Sequence, residues 1–220
     1  MGKYKYFVFV FLGVILCLIR GVFAKNDGKG LLSKVIYIDP GHGGADCGAY
    51  YKNVKESDVN LEISVKLMNA LKKEGATVYL TRYGDYDLST PDAWNRKRSD
   101  LSRRANIINK SNCDLYLSIH LNADDSGVLH GAEVYYDTIN PENEKIASIF
   151  QEEFNKNLSS NRNFKENSTK YLQRRVNRPG VLLEVGFLSN SSERALLTSD
   201  VYQKRLVNVI KNGIYKYFET

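Results

Sequence analysis

Three cysteines in 220 residues are too few for a disulfide framework. Cys17 lies inside an apolar N-terminal run, which leaves Cys47 and Cys113 as two isolated thiols in a mature chain. No basic patch is interleaved with aromatics, so nucleic acid is not an expected partner despite the formal charge of +6. Lys3, Lys5 and Arg20 fall in a segment without acids, and removing those three from +6 leaves +3. That excess suits at most a weak attraction to an anionic polymer such as cell wall. No apolar run reaches the ~20 residues of a spanning helix. The run from Tyr6 to Ile19 stops at Arg20, follows two lysines, and precedes Val22-Phe23-Ala24, which resembles a signal-peptidase site. Residues 1–24 therefore read as a secretion signal, cleaved or kept as a short membrane anchor. Residues 25–32 read as a polar linker, and 33–220 as one domain with no internal repeat. The expected location is extracytoplasmic: secreted, or held at the outer face of the membrane. Cys17 sits mid-run, which argues against a lipoprotein signal.

A hydrophobic fraction of 43% and a charged fraction of 25% belong to a globular protein. Apolar β-branched stretches predict strands at 35–39, 76–81, 115–121 and 181–185, with a fourth strand in chain order at 133–136 nearer an edge. A helix is predicted over 57–74, with Ser57 as its cap, Leu61, Val65, Met68 and Leu71 as its apolar stripe, and Gly75 just past its end. A basic helix reaching Lys110 carries Leu101, Ala105 and Ile108 inward. Pro141 opens another, with Ile146, Ile149, Phe150 and Phe154 on its apolar side. The polar stretch 157–169 reads as a loop, 191–197 as a short helix and 200–218 as a final amphipathic one. Strands alternating with helices imply an α/β domain: a largely parallel, twisted sheet of about six strands flanked by helices.

Within that frame four polar residues share a place. His42 follows the first strand between glycines, in Pro40-Gly41-His42-Gly43-Gly44. His120 ends another strand, Glu184 lies late in Val181-Leu182-Leu183-Glu184-Val185, and Glu56 precedes the first helix. Ligands of open α/β sheets bind outside the carboxyl ends of the strands. The four converge there if the segment 40–55 folds back over that edge. Two histidines and a carboxylate suit a catalytic zinc site with one position left for water. Glu184, in an otherwise apolar strand, suits a proton carrier. Cys47 is a rival ligand, and His130 reads as a surface histidine in a turn. The spacings are long, unlike a compact HExxH signature.

These stretches carry a family resemblance. Residues 38–44, 46–49, Glu56 with Asn60-Leu61, 78–82, 104–106, 118–123, 131–136 and 178–190 together resemble the zinc-dependent N-acetylmuramoyl-L-alanine amidases of the third amidase family, from Lys34 to Tyr217. The resemblance implies that His42, Glu56 and His120 hold Zn2+ and that Glu184 is catalytic. It implies cleavage of the amide between N-acetylmuramic acid and L-alanine in peptidoglycan. Arg178, Arg82 and Asn122 are candidate substrate contacts, the arginines because stem peptides carry carboxylates. The family usually has lysine after the ligand glutamate; here it is Ser57, which implies a local change at the helix start. The segment 96–101 and Asn177-Arg178-Pro179-Gly180 resemble the spore-cortex, germination-specific branch, which helps form muramic δ-lactam. Two alternatives stand beside this: a related zinc peptidase or deacetylase on cell-wall substrates, and an amidase idle until a secreted or lipoprotein partner covers the cleft.

Overall fold

A computed structural model describes residues 30–167 and 169–220. The expected signal, Cys17 and most of the expected linker lie outside the described residues. Leu31, within the expected linker, is buried in the core.

The elements in chain order are β1 (Val35–Pro40), β2 (Tyr50–Tyr51), β3 (Val54–Lys55), α1 (Glu56–Lys73), β4 (Thr77–Leu80), α2 (Arg96–Lys110), β5 (Leu115–Asn122), β6 (Glu133–Tyr136), α3 (Asn143–Leu158), β7 (Lys165–Glu166), a 3-10 turn (Gln173–Arg175), β8 (Gly180–Phe187), α4 (Ser191–Leu197) and α5 (Asp200–Glu219). Six strands form one sheet in the order β4-β1-β5-β8-β6-β7. The β1–β4, β1–β5, β5–β8 and β6–β7 pairs are parallel; β6 runs antiparallel to β8. The α/β expectation of a largely parallel sheet of about six strands holds. Among the described residues no helix is long and apolar enough to cross a membrane.

The sheet is covered unequally. Ile36, Ile38, Leu117, Ile119, Val181 and Leu183 join the main core beneath α1, α3 and α5. A smaller cluster of Ala105, Ile108, Cys113, Tyr116, Leu172 and Val176 lies under α2 and the 3-10 turn. Periodicity misplaced the face of α1. Val59, Ile63, Leu67 and Leu71 are its buried apolar residues, whereas Leu61, Val65 and Met68 are only half-buried. The i, i+4 row that starts at Val59 keeps one line along the helix and faces the sheet.

Three local expectations change. α1 starts at Glu56 with Lys55 as its cap residue and no side-chain cap; Ser57 is buried and its hydroxyl has no hydrogen-bond partner. Pro141 stands two residues before α3, whose first residue is Asn143. The polar stretch after α3 is not wholly loop, because Lys165–Glu166 adds a short edge strand beside β6.

Candidate metal centre at the carboxyl edge of the sheet

The carboxyl ends of β1, β5 and β8 lie side by side, and the chain returns to them once more through β2 and β3. That hairpin turns on Lys52 and Asn53, both with positive φ (49° and 65°). Two consecutive left-handed residues are what a type I′ turn requires. The hairpin brings Glu56 N–H to the Ala49 carbonyl at 2.9 Å and Ser57 N–H to the Cys47 carbonyl at 3.1 Å. The fold-back of 40–55 over the edge is thereby realised.

His42, Glu56 and His120 meet there, with one donor atom from each within 4.8 Å of the others. Glu56 Oε1 lies 3.2 Å from His42 Nε2 and 3.0 Å from His120 Nδ1. Donors sharing a tetrahedral ion at ~2.1 Å stand roughly 3.4 Å apart, so the set is preassembled for a cation that takes nitrogen and oxygen. The other groups around it fix orientation. Asp46 Oδ2 sits 3.0 Å from His42 Nδ1, leaving Nε2 to face the centre. Glu56 Oε2 accepts from Ala49 N–H, and Oε1 from Leu121 N–H and Asn60 Nδ2. Burial would raise the Glu56 carboxyl, but hydrogen bonds and charge from His120 and His42 outweigh it and hold it far below the usual range.

The glycines make room for these groups. A Cβ at Gly41 would stand 2.3 Å from the His120 ring, and one at Gly48 2.4 Å from Glu56 Oε2 and 2.7 Å from His42. Gly48 also has φ +67°. Gly48→Ala is expected to cut zinc affinity at least 10-fold while the protein stays folded. Zinc titration against a chromogenic chelator, with circular dichroism alongside, checks both; unchanged affinity would show that Glu56 needs no such space.

Two buried arginines pin the loop that carries His42. Arg104 donates to the carbonyls of Pro40 and His42, and Arg82 to those of Pro40, Gly41, Gly84 and Ser57. Asn60 adds a second donor to Gly41. Arg82 was expected to touch substrate; it is fully buried and spent on backbone carbonyls, so it does not. Arg178 is also corrected. It precedes β8, at the amino edge of the sheet, and its guanidinium donates to the Asn109 carbonyl and Asn112 Oδ1. Asn122 ends β5 at the same edge as His120, and its side chain accepts from Ala123 N–H.

Glu184 pairs in register with His120 across β5 and β8 and is buried. Lys170 Nζ lies 3.1 Å from its Oε1, while Oε2 has no hydrogen-bond partner. Immediately beyond, β8 carries one extra residue, since His120↔Glu184 is followed by Asn122↔Phe187. Bulges of this kind re-aim side chains beside functional sites. A cleft of about 270 Å³ opens over the trio, lined by His42, His120, Asp46, Lys97, Tyr171 and Leu182 among others. Lys170 and Tyr171 escaped the sequence reading because they follow a polar stretch without periodicity. Asp46 and Asn60 lay in recognised motifs, and their pairing with His42 and Glu56 is visible only in three dimensions. Cys47 and Cys113 are both free thiols, and Cys47 is not in the donor set. His130 is exposed.

A largely parallel α/β sheet thus gathers two imidazoles and two buried carboxylates at its carboxyl edge, a donor set that a metal-dependent hydrolase can use. The chain belongs to the N-acetylmuramoyl-L-alanine amidase family, whose profile matches residues 36–216. It is 41% identical over 214 residues to the germination-specific N-acetylmuramoyl-L-alanine amidase of Bacillus subtilis (strain 168), covering 93% of this chain and 90% of that one. Among solved structures it resembles the CwlD amidase of Clostridioides difficile, determined in complex with the GerS lipoprotein. The TM-score is 0.80 at 35% identity, covering 85% of this chain and 99% of that one. The catalytic domain of CwlV from Bacillus (Paenibacillus) polymyxa var. colistinus gives a TM-score of 0.74 at 29% identity, covering 84% and 98%. The chain is a peptidoglycan amidase.

Proposed function

We propose that this amidase removes peptide from spore-cortex muramic acid, towards muramic δ-lactam, with Zn2+ held by His42, Glu56 and His120. The observation that carries the metal reading is the donor set itself: two imidazole nitrogens and a carboxylate oxygen, clustered and oriented by outer partners. Zinc, when bound, supplies a Lewis acid and lowers the pKa of a water from ~15.7 to about 7. The chain's own residues do the rest. Glu184 Oε2, buried and without a partner, accepts the proton of the attacking water. The water oxygen bonds to the lactyl carbonyl carbon. As the C–N bond breaks, Glu184 returns the proton to the leaving amine of L-alanine. The products are a lactyl carboxylate and a free alanine amine. Lys170, against Oε1, holds the carboxylate in one orientation.

His42→Ala is expected to lose metal and activity together. Metal analysis of the secreted form, with digestion of purified peptidoglycan with and without added zinc, tests this; full zinc occupancy in the variant would show a different ligand set. Mass analysis of the products tests the reaction, since peptide cuts or lost acetyl groups would favour a peptidase or deacetylase. By analogy with the C. difficile complex, we also propose that a secreted or lipoprotein partner raises zinc occupancy. Residues 1–24 would then act as the export signal or a short anchor, which N-terminal sequencing of the extracytoplasmic protein tests.

A further inference from the structure

We propose that Tyr171, with the guanidinium groups of Arg98 and Arg175 set against it, forms the subsite for a free carboxylate of the stem peptide. The inference rests on the amidase reading and extends it to specificity. Both arginines expected to meet those carboxylates are committed elsewhere: Arg82 lies under the His42 loop and Arg178 is at the far edge of the sheet. The substrate's charge therefore needs other partners.

Tyr171 lines the same cleft as His42 and His120. The Arg175 guanidinium stands 4.4 Å from its ring centroid and that of Arg98 5.8 Å. Arg98 Nε is 3.3 Å from the phenol oxygen, and the Ser102 hydroxyl 2.9 Å. Two like charges thus share one ring. Among the described residues neither has a carboxylate partner, whereas nearby Arg96 pairs with Asp87, Lys97 with Asp46, and Arg104 with Asp39 and Asp100. A guanidinium without a carboxylate partner binds a carboxylate well, with five donors in a planar fork. The surroundings register this charge: hydrogen bonding from Ser102, then from Arg98, holds the Tyr171 phenol below its usual range.

The platform is firmly placed. Leu172 and Val176 are buried on either side of the 3-10 turn. Asn109 of α2 clasps it twice, donating to the Arg175 carbonyl at 2.7 Å and accepting from Asn177 N–H at 2.9 Å. The first free carboxylate of a stem lies on the residue after L-alanine, one step from the bond that is cut. The cleft that Tyr171 shares with His42 and His120 would then receive it.

The test compares wild type with Arg98→Ala/Arg175→Ala on soluble muropeptides whose stem carboxylates are free or converted to primary amides. On free acids the double variant should lose about 30-fold or more in kcat/KM, chiefly through KM, as two charge-assisted contacts are removed. Wild type should lose a similar factor on the amidated substrate, and the variant should no longer distinguish the two. Arg98→Lys/Arg175→Lys should recover only part of the loss, and zinc content and Tm should stay unchanged. Equal kcat/KM for variant and wild type on free acids, or equal discrimination by both, overturns the subsite. Calorimetric titration with the free stem tripeptide reads it without turnover. Binding weakened at least 10-fold in the variant supports it; equal affinity, or no binding to wild type, refutes it. Wild type that binds the peptide but releases no alanine amine from the muropeptides would instead overturn the amidase reading.

Discussion

Glu184→Gln is expected to lower kcat by roughly 10³-fold, within the range for loss of a general acid–base, with zinc content unchanged. The amide keeps the shape of the carboxylate, so packing within β8 is preserved. It cannot take up a proton from water. The register pairing with His120 and the partnerless Oε2 leave the carboxylate with no structural duty that the amide fails to fill, apart from the contact with Lys170. Single-turnover release of alanine amine ends, with metal analysis of the same sample, separates the two effects. Turnover near the wild-type rate would remove Glu184 from the mechanism. Zinc lost together with activity would make it a ligand.

The second large effect concerns stability. Arg104→Met is expected to destabilise the fold by about 3–5 kcal/mol, the cost of leaving a buried charge without its partner. For a chain of this size that is a fall in Tm of roughly 6–20 °C. Asp39 is wholly buried and held by Arg104, Thr81 and Ser118. Burial would raise its carboxyl; the Arg104 guanidinium and the two hydroxyls outweigh that and hold it below the usual carboxylate value. A folded-state pKa below the unfolded ~3.9 means that the folded protein binds fewer protons. Its stabilising contribution is complete above about pH 4 and is lost as pH falls through the folded value. Thermal melts from pH 3 to 7 should therefore show the variant's deficit narrowing at the acid end. Asp39→Asn in the same background should recover part of the loss; simple additivity would show that the two side chains act independently.

Much of this molecule was legible in its residues. Apolar runs ending in Pro-Gly, Ser-Ile-His and Leu-Glu-Val placed three functional side chains at strand ends, because parallel strands are apolar until they leave the sheet. Glu56 was harder. Its arrival depends on a hairpin with two residues in each strand, turning on Lys-Asn in place of the usual Asn-Gly, which gives almost no local signal. The arginines were misjudged for another physical reason. A guanidinium suits a substrate carboxylate and a cluster of backbone carbonyls equally well, and sequence does not say which lies near. Arg82 found four carbonyls; Arg178 stood at the wrong edge. The face of α1 was misread because polar Asn60 and Ser64 are buried beside the apolar row, so hydrophobicity alone pointed the helix elsewhere.

The hairpin has one more consequence. His42, Glu56 and His120 come from stretches of chain separated by 14 and 64 residues, brought together by a crossover and a fold-back. No fragment holds the set, so an unfolded chain offers a cation only scattered donors. Binding is thus coupled to folding: at 100 times Kd a ligand confined to the native state adds about 2.7 kcal/mol. Metal supply in the compartment where the chain folds would then govern both how much enzyme is active and how much survives.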